Sequence, residues 1–148
     1  MPKSIFQAAS RAELQQRLAH LEPDRVPGWG KLTAPKMVVH LEDSLKMALG
    51  ELPVRPKKVV IRFPVIKHLI IYVMPWPKGT PTAPELLARV PAAWNGEVVA
   101  LSALIERFAD RSPRETWPPH PAFGSMSGRL WGALVYKHVN HHFTQFGI

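Results

Sequence analysis

The chain has 148 residues, 46% of them hydrophobic and 20% charged, and it contains no cysteine. That length and composition fit one folded domain over 1–148 and exclude a disordered chain, while the missing cysteines exclude disulfide frameworks, thiolate metal sites and cysteine nucleophiles. The formal net charge of +8 permits association with phosphates or an anionic membrane surface without specifying either, and a solvated basic surface is the simplest reading.

Met1-Pro2-Lys3-Ser4 lacks the apolar core of a secretory signal. No stretch reaches the ~20 apolar residues of a membrane span. The nearest candidate, Val59 to Met74, is interrupted by Arg62, Lys67 and His68. A cytoplasmic protein without a membrane partner is expected.

The elements follow in chain order. Ser10-Arg11-Ala12-Glu13 has the pattern of a capping box, and Leu14, Leu18 and Leu21 follow at helical spacing, which predicts a first helix. Thr33 is placed to cap a second, with Pro35 in its first turn and Met37, Val38, Leu41, Leu45 and Ala48 as an apolar stripe running up to Gly50. Lys57 to Met74 is rich in valine and isoleucine and has strand propensity, but no second strand of similar quality is available to pair with it. A short amphipathic helix after Pro64 is therefore the preferred expectation.

Thr82-Ala83-Pro84-Glu85 repeats the capping signature, and Pro91 is expected to restart a longer helix carrying Trp94, Val98, Leu101, Leu104, Ile105 and Phe108. Ser127 begins the last helix, with Trp131, Leu134, Val135, His138, Val139, His142 and Phe143 at three- and four-residue intervals. Most of the sixteen prolines fall in Pro53–Pro64, Pro75–Pro91 and Pro113–Pro121, which mark the connections. The expected class is all-α, a four-helix bundle with at least one long crossover.

With cysteine absent, histidines and carboxylates are the available metal ligands. His138 and His142 are four apart, one turn above each other on the same helix, so both can reach one ion in the interior. The pair His138 and His141 has the alternative spacing, but His141 is turned toward the other edge. His40, beside the stripe of the second helix, would complete a three-histidine site with an open position for water or substrate. Its alternative is a histidine at the core margin bonded to a backbone carbonyl. Zinc, nickel, manganese or iron all suit imidazole, since that ligand selects weakly among them.

Gln145 lies on the same face and could orient a ligand or a bound water, as could Asp43 and Ser44 after His40; the alternative is plain helix-surface or packing residues. His20, His68 and His120 are expected at the surface or in loops. Lys57, Lys58, Arg62 and Lys67 lack interleaved aromatics or a nucleic-acid motif, so no nucleic-acid partner is expected.

Thr33-Ala34-Pro35-Lys36-Met37-Val38-Val39-His40 and His138-Val139-Asn140-His141-His142-Phe143-Thr144-Gln145-Phe146 resemble the DinB/YfiT superfamily of metal-binding four-helix proteins. Trp29-Gly30-Lys31-Leu32-Thr33, Pro77-Lys78-Gly79-Thr80-Pro81-Thr82 and His120-Pro121-Ala122-Phe123-Gly124 are similar to an uncharacterised DinB-like branch. The resemblance implies an up-down-down-up bundle with an extra short helical segment in the long crossover, and one divalent ion, zinc or nickel first, held by His40, His138 and His142.

Characterised relatives include metal-dependent transferases and isomerases that use low-molecular-weight thiols such as bacillithiol, mycothiol or glutathione. The expected function is accordingly that of a metal-dependent thiol S-transferase or related hydrolase or isomerase, acting on a small molecule; Arg62, Lys67 or Lys78 could hold carboxylates of an acidic thiol, and the alternative for each is an ordinary solvated cation. The alternative is a metal-binding or stress-response module without turnover. A homodimer is compatible with either.

Overall fold

Apolar residues recurring every three or four positions select helix, and proline decides where helix stops. In the computed structural model, which describes residues 2–57 and 60–148, the chain forms five α-helices, and no β-strand occurs among those residues. They are α1 (Ala8–Leu18), α2 (Ala34–Ala48), α3 (Pro64–His68), α4 (Trp94–Asp110) and α5 (Gly128–Gln145). Val60–Arg62 and Pro84–Leu86 are single 3-10 turns, and Leu69–Val73 is a π-helical turn that continues α3.

The first helix starts earlier than the capping-box pattern predicts. Gln7 occupies the extended cap position, and Ser10 lies inside the first turn, buried, with its hydroxyl donating to Gln7 Oε1 at 3.0 Å. The segment before the helix decides this. The Arg11 guanidinium donates to the Ile5 and Phe6 carbonyls, and the Ile5 N–H reaches Gly132 O on α5, so chain entry is fixed by tertiary contacts. Leu14, Leu18 and Leu21 are buried as expected.

In α2 the cap matches the sequence: Thr33 Oγ1 accepts the Lys36 N–H at 3.3 Å, freeing the first turn from one unsatisfied donor, and Pro35 follows within it. Met37, Val38, Leu41, Leu45 and Ala48 are all buried. Gly50, at φ 81°, takes the left-handed conformation that ends the helix.

The valine- and isoleucine-rich segment is helical after Pro64, in agreement with the reading that a lone strand has no partner. Lys58 and Val59 lie outside the described residues. Its facing is the reverse of an ordinary amphipathic helix: Lys67 is buried and donates to the carbonyls of Phe123 and Ser125, while Val65, Leu69 and Val73 face outward.

Thr82-Ala83-Pro84-Glu85 opens only the 3-10 turn, and the Glu85 carboxylate accepts the Arg55 N–H instead. The next helix begins at Trp94 rather than Pro91, after an extended Ala93 with no side-chain cap; Glu97 reaches back from the first turn to accept the Ala92 N–H. In α5, Ser127 caps as predicted, accepting the Leu130 N–H at 3.2 Å.

The apolar stripes then meet. α2 packs chiefly on α4, α5 packs on α1 and α2, and α1 also touches α4. Leu41, Leu45, Leu101, Ile105, Phe108, Trp131 and Phe143 are essentially inaccessible between them, and each such side chain contributes on the order of 1.5–3 kcal/mol through removal from water. No helix among the described residues is long and apolar enough to cross a membrane.

Candidate metal centre

Packing α2 against α5 brings His40 beside His138 and His142. Nε2 of His138 lies 3.1 Å from Nε2 of His40 and 3.2 Å from Nε2 of His142. Among the described residues these three are the cluster whose ligand atoms converge, all within 4.8 Å of one another. Nitrogens held tetrahedrally at ~2.0–2.1 Å from one zinc would stand about 3.3 Å apart, so Nε2 of His138 stands within a few tenths of an ångström of that spacing from both His40 and His142.

The hydrogen bonds behind the rings fix what faces inward. His40 Nδ1 donates to the Leu86 carbonyl at 3.0 Å, which leaves Nε2 as a lone pair. His142 Nδ1 lies 2.8 Å from Gln145 Oε1, and Gln145 Nε2 donates to the Trp29 carbonyl at 2.9 Å. Because a carbonyl can only accept, the Gln145 amide has one usable orientation, and His142 must carry its proton on Nδ1. Its Nε2 is a second lone pair aimed at the same place.

His138 can offer one Nε2 proton at most, so three neutral imidazoles cannot satisfy one another. A cation at the focus satisfies all three. Protons are poor candidates for that role: burial pushes His142 down to about 3, with the charge it would share with His40 acting in the same direction. Burial holds His138 well below the ordinary histidine value and lowers His40 as well. Neutral imidazole is the form a divalent ion needs, and the donor set fits such an ion.

His141 is not part of the cluster. Its ring lies 5.7 Å from Trp29 and 5.8 Å from Trp76, while Trp76 stacks on His138 at 5.1 Å with 17° between the planes. The Lys78 ammonium stands 4.3 Å from the Trp29 ring centroid. The outer edge of the centre is thus aromatic and carries one cation.

The supporting residues fall differently from the sequence expectation. Gln145 orients His142 as anticipated. Ser44 instead donates to the His40 backbone carbonyl at 2.7 Å, one turn back on its own helix. Asp43 turns to Arg89 Nε at 3.1 Å rather than to a ring nitrogen. His40 is bonded to a backbone carbonyl through one nitrogen and faces the other two rings through the second.

Of the cations suggested for a carboxylate-bearing ligand, Lys67 is sequestered by carbonyls and Arg62 stands against the Gly124 turn, which leaves Lys78, over the Trp29 ring. His20 and His68 are exposed, but His120 is half-buried. Its Nδ1 accepts the N–H groups of Ala122 and Phe123, its ring lies 5.2 Å from Trp131, and burial lowers it to about 4.

Sequence reasoning missed the residues that hold the Leu86 carbonyl in place. Arg89, three residues on, donates to Glu42 at 2.7 Å, Asp43 at 3.1 Å and Glu97 at 3.0 Å, tying the loop to α2 and α4. Glu42 is almost wholly buried, its Oε1 has no partner among the described residues, and burial, aided by the Glu97 hydrogen bond, pushes its carboxyl up to about 7. The acidic Glu42-Asp43 pair beside the apolar stripe of α2 was the only signal. Trp76 gave none, because a tryptophan among prolines carries no periodicity.

A family model described as "Protein of unknown function (DUF1569)" matches residues 12–147. No curated protein and no solved structure matches the chain.

Proposed function

Since the chain belongs to the DUF1569 family of proteins of unknown function, we propose its role from the site itself: it holds one divalent metal ion through His40, His138 and His142 and uses it on a small-molecule substrate. The observation that carries this reading is the convergence of two fixed lone pairs, on His40 and His142, onto the third imidazole. Zinc and nickel are the first candidates, because three neutral nitrogens suit both. Three protein ligands leave a position open, as in catalytic rather than structural sites.

We read the architecture as a DinB-like four-helix bundle, one domain over 1–148, formed by α1, α2, α4 and α5 with α3 in the long crossover. On that reading the chemistry is a thiol transfer or a related hydrolysis or isomerisation in the cytoplasm. A bound divalent ion would lower the pKa of a thiol or water at its open position, supplying a nucleophile at neutral pH. The chain's own part is positional. Leu86 O and Gln145 hold two ligand tautomers, Trp76 covers His138 on one face and limits water, and Lys78 above Trp29 meets a carboxylate of an acidic thiol such as bacillithiol, mycothiol or glutathione.

The stacking of Trp76 on His138 also favours a second reading, a metal-retaining module of stress response without turnover, since a covered ligand restricts access. One pair of experiments separates the two. Elemental analysis of tag-free protein should find one divalent ion per chain, lost in His40→Ala and in His138→Ala; equal metal content in all three proteins removes the metal reading. A panel of the three thiols against a chlorinated aromatic acceptor should then show turnover by wild type that His138→Ala lacks. Metal retention with no turnover on any pair selects the non-catalytic module.

A further inference from the structure

Between Glu51 and Glu85 the sequence contains no acidic residue, while Arg55, Lys57, Lys58, Arg62, Lys67 and Lys78 all fall in that interval. Among the described residues, the same interval carries most of the large exposed apolar side chains. Phe63 is 64% exposed, Val65 80%, Leu69 47%, Val73 72% and Met74 44%. Val65, Leu69 and Val73 succeed one another every four residues on one continuous helical run, α3 and its π-helical extension, so they form a single stripe.

The stripe is held outward by construction. Lys67, only 6% exposed, buries its ammonium against the Phe123 and Ser125 carbonyls on the inner side. At the far end the Lys137 ammonium, from α5, takes the carbonyls of Ile70, Ile71 and Met74. With the inner face committed to two lysines and to Ile71, the helix cannot roll to hide its valines and leucine. A contiguous apolar face rimmed by polar groups marks an interaction site.

We propose that this crossover docks on an anionic lipid surface, its apolar stripe lying in the interfacial layer and its cations against the headgroup charges. Charge complementarity selects that occupant. Arg55, Lys57 and Lys78 are exposed and Arg62 half-exposed on the same crossover, and Glu85 beside Arg55 and Lys57 offsets only part of this charge. A two-fold contact between copies would set the patch against itself and bring like charges together in a chain already at +8. The expectation of no membrane partner rested on the missing span, and a segment that lies in the interface needs none. The surface adjoins the candidate metal centre, since Trp76, two residues after Met74, stacks on His138.

Flotation of the full-length protein with vesicles tests this. Binding is expected to phosphatidylcholine vesicles containing phosphatidylglycerol, not to phosphatidylcholine alone, and should fall steeply with added salt as the Debye length shrinks. The double variant Val65→Ser/Leu69→Ser should bind at least about tenfold more weakly, because both side chains leave the apolar layer. Val26→Ser, which alters an equally exposed valine elsewhere, should bind as wild type. Circular dichroism confirms that each variant folds. Failure to float with anionic vesicles, or equal binding to neutral ones, overturns the proposal. So does a concentration-dependent dimer that the double variant abolishes while wild type ignores vesicles. Metal content of the double variant should equal that of wild type, so the outcome is independent of the three histidines.

Discussion

The side-chain oxygen of Gln145 lies 2.8 Å from Nδ1 of His142, while its amide nitrogen is held by the carbonyl of Trp29, and this pairing determines which His142 nitrogen faces the cluster. Gln145→Leu removes the acceptor and frees the tautomer. Loss of such an outer partner costs about 10–100-fold in metal affinity, and that is the drop expected in a cobalt or zinc titration. Gln145→Glu keeps an acceptor for His142 but gives up the bond to Trp29. It should retain affinity within a few-fold of wild type. Equal losses in the two variants would remove the tautomer argument.

Arg89 serves three carboxylates at once, and Glu42, Asp43 and Glu97 are all buried beneath it. Arg89→Met leaves buried carboxylates without their cation, which should cost about 2–4 kcal/mol in urea unfolding, discounted for the partial exposure of the guanidinium. It should also weaken metal binding, because the Leu86 carbonyl that orients His40 sits on the same loop.

His120 gives the chain a predictable pH response. Its folded-state value of about 4 lies below the ~6.5 of an unfolded histidine, so the folded chain binds fewer protons between those limits. Its contribution is complete above about pH 6.5 and is lost as pH falls toward 4, because protonation forfeits the N–H groups of Ala122 and Phe123. Metal-free wild type should lose about 1–2 kcal/mol more than His120→Asn between neutral pH and about pH 5. The other histidines are common to both proteins and cancel.

Two glycines should respond in opposite directions. A Cβ at Gly128 would meet the Pro113 carbonyl at 2.3 Å and Trp117 Nε1 at 2.5 Å, so Gly128→Ala should cost about 1–3 kcal/mol by forcing the 113–117 segment away from α5. At Gly96, inside α4, nothing lies within 4 Å, and Gly96→Ala should gain about 0.5–1 kcal/mol through reduced backbone freedom in the unfolded chain. Thermal melts of the two single variants provide the comparison.

What the sequence by itself determined is local. Thr33 and Ser127 cap helices because an oxygen at the cap position accepts a nearby N–H whatever surrounds it, and the stripes of α2 and α5 are buried because their period matches the helix. The spacing of His138 and His142, and the inward side of His40, were legible for the same reason. Ser10 and Pro91 misplaced two helix starts, because Arg11 and Glu97 take up the neighbouring backbone groups through contacts that spacing does not encode.

Tertiary structure alone decided the rest. It set the near approach of three imidazoles from helices about a hundred residues apart and the tautomers fixed by Leu86 and Gln145. It also turned Lys67 inward and Val65 outward, because carbonyls of a distant loop can hold an ammonium more firmly than periodicity can place a valine. Hydrogen-bond partners are chosen by position in space, and only the folded chain defines that position.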